Sequence, residues 1–132
     1  VKLVNNLSEK RTQTAVLKWA NESFGDVACN RDERAARLVE EAIELGQTEG
    51  LTEDIATRIL NRVYDRPPGE LRREIGGVGI TLEALSENAG VSLEDCVQEE
   101  WIRVQSKSKD WWDRKHGEKV VAGTANISKV KK

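Results

Sequence analysis

Glu40, Glu41 and Glu44 stand in the run RLVEEAIEL, and Glu70 and Glu74 stand in GELRREIGGVG. Residues four apart on a helix share a face, so Glu40 pairs with Glu44 and Glu70 with Glu74. A charge run of this kind is most often the solvated side of an amphipathic helix. Its repetition on a second segment points further. If two acidic faces meet, several negative charges converge, and cations must sit among them. Mg²⁺ or Mn²⁺, hard ions that take oxygen ligands, are the natural candidates. Two or more such ions would bridge phosphate oxygens and lower the pKa of a bound water, creating a nucleophile near neutral pH. The candidate metal ligands are Glu40, Glu41, Glu44, Glu70 and Glu74, the first three being the candidate catalytic carboxylates.

The elements that must position them read as helices divided by stop signals. Ser8 caps a first helix in which Ala15, Val16, Trp19 and Ala20 recur at helical spacing, and Phe24-Gly25 ends it. A second helix opens at Asn30 or Asp32 and runs to about Gln47, with Gly50 beyond its end. Its apolar stripe is Ala35, Leu38, Val39, Ala42 and Leu45, and Arg37, Glu40, Glu41 and Glu44 lie opposite. Thr52 caps a third helix that Pro67-Pro68 stops, since proline lacks the amide donor and disfavours helix in the residue before it. Pro68 or Gly69 starts a fourth helix ending at Gly90. Gly76, Gly77 and Gly79 inside it each cost about 1 kcal/mol relative to alanine, which suggests close approach by another backbone or a ligand. Ser92 with Asp95 resembles a capping box for a fifth helix. There is no hairpin chemistry and no fixed-period repeat. The fold class is therefore all-α, a bundle of about five helices.

At 132 residues, with 38% hydrophobic and 33% charged side chains, the chain is one domain that is lean for a self-contained bundle. Oligomerisation is expected to complete its core. A net charge of -2 supplies no general attraction to nucleic acid or to an anionic membrane. With no apolar run of spanning length and no signal-peptide pattern, the expected location is cytoplasmic. Cys29 and Cys96 stand far apart and read as reduced, partly buried thiols. His116, the only histidine, cannot assemble a zinc site. The GGVG run lacks the Lys-Ser/Thr of a phosphate-binding loop. Trp111 and Trp112 amid basic residues offer stacking surfaces for bases, but a C-terminal arm packed across a partner subunit is the better account. Residues 120–132 read as a flexible basic tail behind a domain of residues 1–119.

The blocks SFG after a tryptophan, ERAARLVEEAIEL, ILNRVYDRPPGE, REIGGVGITLEAL and RKHGEK, in this order, resemble the phage and bacterial MazG-like proteins of the all-α NTP pyrophosphatase superfamily. The resemblance runs from about Trp19 to Lys119. It implies a helical homodimer or homotetramer that uses Mg²⁺ or Mn²⁺ to cleave nucleoside triphosphates between the α- and β-phosphates, releasing a monophosphate and pyrophosphate. The family signature is an ExxE on one helix and an ExxD on the next. Glu41 and Glu44, preceded by Glu40, match the first half. In the second half Glu74 matches the Glu, but Gly77 stands where the Asp belongs, and Glu70 is the candidate substitute from one turn earlier. The resemblance also suggests a basic C-terminal group closing over the phosphates, here Lys115 and Lys119.

Arg34, Arg37, Arg58, Arg62 and Arg66 suit triphosphate oxygens by their planar guanidinium groups, with Arg37 and Arg62 the leading candidates. Trp19, with Asn21 or Asn61, is a candidate frame for a nucleobase, against the slightly stronger expectation that Trp19 packs in the core. A MazZ-type phage branch implies (d)GTP as substrate and, for a phage-encoded chain, the host cytoplasm. The competing reading is a non-catalytic helical module that binds nucleotide or nucleic acid through its Trp-rich basic arm.

Overall fold

The computed structural model describes residues 10–130, all helical or connecting. Six long α-helices follow in order: α1 (Gln13–Phe24), α2 (Arg31–Thr48), α3 (Glu53–Tyr64), α4 (Leu71–Ala89), α5 (Leu93–Gln105) and α6 (Lys109–Val121). A 3₁₀ turn (Asp26–Cys29) joins α1 to α2, and a last helical turn (Ile127–Val130) closes the described chain. The all-α class expected from the sequence is what forms, with no strand among the described residues.

Local chemistry explains most boundaries. Thr52 Oγ1 accepts from the Ile55 amide at 3.3 Å and Ser92 Oγ from the Asp95 amide at 3.1 Å, each satisfying a donor that the first helical turn leaves without a partner. Ser108 caps α6 in the same way through Trp111 N at 3.1 Å. Gly90 ends α4 in the left-handed conformation, φ 74°, that side-chain-bearing residues avoid. The cap of α1 is Thr12, whose Oγ1 accepts from Ala15 N at 3.0 Å; the expectation at Ser8 lies outside the described residues.

Two expectations are corrected. The fourth helix starts at Leu71, so Glu70 lies outside it as the N-cap. The segment from residue 120 on is not a free tail through Ser128: α6 continues to Val121, and Ala125 is buried at 2% exposure.

The chain divides into two compact units, one made of the described residues up to Ala42 and from Glu100 on, the other of Ile43–Glu99. In the first, α1 packs on the 3₁₀ turn and on α6. Its centre is aromatic. Trp19 meets Trp112, Phe24 and Trp101 edge to face, with ring centroids 5.2, 5.9 and 6.2 Å apart. Such contacts add about 0.5–1.5 kcal/mol each beyond the area they bury. Trp112, half-buried, thus packs on Trp19 and Phe24 of its own chain. Both cysteines are exposed rather than partly buried.

The second unit buries far less. Ser86 is the only described residue of α4 withdrawn from solvent, and α3 has none. Ile55, Ile59, Leu60, Val63, Ile75 and Ile80 are 39–68% exposed. No described atom comes within 4 Å of a Cβ built on Gly76, Gly77 or Gly79, so the close approach expected at these glycines is not made within the described chain.

Trp101 is 5% exposed and meets Trp19. Trp101→Ala is expected to lower unfolding free energy by about 3–5 kcal/mol, read from chemical denaturation.

Candidate functional site

The acidic face of α2 enters a charged group in the first unit. Helical spacing brings Arg37 beside Glu40, with Arg37 Nη1 2.9 Å from Glu40 Oε2. Neither of these two buried atoms has hydrogen-bond geometry to any described partner, so charge rather than a directed hydrogen bond holds this contact. From α6, Lys119 brings its Nζ to 3.5 Å from Glu40 Oε1. Both cations are largely shielded, their side chains 18% and 34% exposed. Arg37 also donates through Nη2 to the Thr124 carbonyl. Burial, and then the like charge of Arg37, lower the pKa of the neighbouring Arg34. One carboxylate thus sits between two cations supplied by different helices.

Glu41 is exposed and feels a second cation that sequence spacing did not suggest. Arg103 of α5 forks onto Glu100 through Nε at 2.9 and 3.1 Å and Nη2 at 2.6 Å. The hydrogen bonds to Glu100 raise the pKa of Arg103, and Glu41 contributes by its charge. Glu100 is held below its ordinary value, chiefly by the same hydrogen bonds. Arg103 lies 62 positions from Glu41, and no local signal links them.

The other candidates divide. Lys115 turns to Glu118 at 3.7 Å and stands over the Trp111 ring at 5.4 Å, not at Glu40. Trp19 is a core aromatic, which favours packing over stacking on a base. Asn61 and Arg62 belong to the second unit, where with Arg58, Asp65 and Arg66 they line an open groove of about 410 Å³ along α3. Arg58 there is tied to Asp54 at 2.9 Å. Arg58 and Arg62 on the helix and Arg66 just beyond its end bring guanidiniums suited to anions to this groove, beside the Asp65 carboxylate.

Glu44 is exposed on α2. Glu74 curls back from the first turn of α4 over Gly69. Glu70 is a correction: its two oxygens accept from the amides of Arg72 at 3.2 Å and Arg73 at 2.9 Å. The helix terminus, with its orphan donors and positive dipole end, claims the carboxylate that was expected to replace the missing Asp.

The donor set, carboxylates alone, suits a hard dication. Among the described residues, however, no three His, Cys, Asp or Glu side chains come together to hold one. No described helix is long and apolar enough to cross a membrane. No protein-family model, curated protein or solved structure matches the chain.

Because Glu100 has a depressed pKa when folded, its contribution to stability is present above the ordinary glutamate range and lost as pH falls through the lower folded value. In Arg103→Ala the Glu100 carboxyl is expected to titrate higher, back in the ordinary range, by carboxyl-detected NMR. An unchanged titration would assign the shift to something other than Arg103.

Proposed function

We propose that the chain is a nucleoside triphosphate pyrophosphohydrolase dependent on Mg²⁺ or Mn²⁺, converting (d)NTP and water to (d)NMP and pyrophosphate. The observation that carries the reading is the Arg37–Glu40–Lys119 group. A solvated helix face needs no cation from another helix, whereas a phosphate site needs carboxylates and mobile cations side by side. The order of sequence blocks around Glu40, Glu41, Glu44 and Glu74 supports the same chemistry.

In this reading Glu40, Glu41, Glu44 and Glu74 would hold the ions, and Glu70 serves as a helix cap. The chemistry supplied by a divalent ion there is neutralisation of phosphate charge and acidification of water. Arg37 and Lys119 exchange Glu40 for the oxygens of the triphosphate and hold them as charge shifts toward the leaving pyrophosphate. The guanidiniums of Arg58, Arg62 and Arg66 offer a second set of donors of the same kind. A purine substrate such as dGTP or GTP is the preference suggested by the family resemblance.

The uncovered faces of α3 and α4 support a second copy of the chain as partner. Removing a side chain such as Ile59 or Ile75 from water contributes about 1.5–3 kcal/mol. Several together offset the cost of association, and specific interfaces commonly bury about 1,600 Å² in total. Ile59→Lys, at a position already 51% exposed, is expected to shift a dimer or tetramer to monomer in sedimentation while leaving the Trp-centred unit folded.

Release of pyrophosphate from a panel of NTPs and dNTPs, with and without Mn²⁺, tests the enzymatic reading. Glu44→Gln is expected to reduce turnover by a factor of about 10³ or more with unchanged helicity, while Glu70→Gln leaves turnover near normal. Absence of turnover for every nucleotide by a folded chain would overturn the reading in favour of a binding module.

A further inference from the structure

Glu33 is an acidic side chain that the proposed reaction does not use, yet it is 2% exposed. Its partner comes from the other end of the chain: Oε1 accepts from the Ile127 amide at 2.7 Å. Beside it, Asp32 accepts from the Ser128 hydroxyl. The residues between α6 and Ile127 are pinned at each step. Thr124 donates to the Lys119 carbonyl through its amide at 2.9 Å and its hydroxyl at 3.2 Å. Ala125 is buried. Asn126 adopts φ 55°, uncommon without a glycine, and its Oδ1 lies 3.1 Å from His116 Nε2. This strap of residues 122–128 therefore lies on the first turn of α2, about two turns before Glu40.

The strap touches the charged group directly, because the Thr124 carbonyl accepts from Arg37 and Thr124 caps the helix end that carries Lys119. We propose that Glu33 is a positioning residue: by receiving the Ile127 amide it locks the strap, and the locked strap aims Arg37 and Lys119 at the phosphate end of the site. The lock follows from the geometry of one unit; its use in binding phosphates rests on the pyrophosphohydrolase reading. Glutamine at position 33 keeps an oxygen acceptor for Ile127, whereas leucine removes it. Asn126→Val loosens the strap from its other side, through an unfavourable backbone angle and loss of the His116 contact, without altering the buried position 33.

The test measures amide exchange over residues 122–128 and calorimetric binding of inorganic pyrophosphate in the full chain, with KM and kcat for the preferred triphosphate. Glu33→Leu and Asn126→Val are expected to speed exchange at Thr124 and Ile127 by about tenfold or more, with Glu33→Gln within about twofold of wild type. Pyrophosphate binding and KM are expected to weaken about tenfold in the first two variants, kcat changing less than about threefold, and Glu33→Gln to restore both. The proposal is overturned if exchange is unchanged in both loosening variants, or if exchange rises while pyrophosphate affinity holds. It is overturned equally if Glu33→Gln behaves as Glu33→Leu. Pyrophosphate binding without hydrolysis of any nucleotide by the wild type would instead count against the hydrolase reading alone.

Discussion

Trp19 carries the first unit, since its ring contacts Phe24 on its own helix, Trp101 on α5 and Trp112 on α6. The other buried apolar residues there, Ala20, Ala28 and Ala125, are small. With so little aliphatic mass, the positions of α5 and α6 depend on these edge-to-face contacts. The charged group depends on them in turn, because α6 brings Lys119 to Glu40 and α5 brings Arg103 into the field of Glu41. Aromatic packing thus sets the electrostatics of the acidic helix.

Pairing of this kind is energetically modest where it is exposed, about 0.2–1 kcal/mol for a surface ion pair. The Lys119–Glu40 contact, longer at 3.5 Å and with both side chains about a third exposed, is nearer this weak kind and yields to a ligand more readily than the shielded Arg37. The buried Glu33 stands in contrast. Leaving a buried oxygen acceptor without its donor costs about 1–3 kcal/mol, so its bond to the Ile127 amide anchors the strap.

Capping was the most legible layer of the sequence. Thr52, Ser92, Gly25 and Gly90 act where their side-chain or backbone chemistry placed them, because a cap is decided within four residues. Glu70 was misread for a related reason. Helical spacing to Glu74 suggested a shared face, but the same short range places Glu70 against two amides that have no other partner. Lys115 and Lys119 differ by one helical turn and were read alike; packing of α6 on α1 sends only Lys119 to Glu40.

The sequence by itself determined the all-α class, most helix boundaries and the acidic face of α2 with Arg37 on it, all consequences of propensity and of contacts three or four residues apart; spacing suggested Glu41 as the partner of Arg37, and the structure pairs it with Glu40. Helical spacing placed Ile55, Ile59, Leu60 and Val63 on an inner face, yet in the second unit they remain open to solvent, because no described element covers that face of α3. Tertiary structure alone decided that Lys119 and Arg103 reach the acidic helix, that Trp112 packs on Trp19, and that residues 122–128 fold back onto Glu33. Those pairings join residues 62 to 94 positions apart. Only the packing of whole helices brings such residues together, and no local periodicity encodes it.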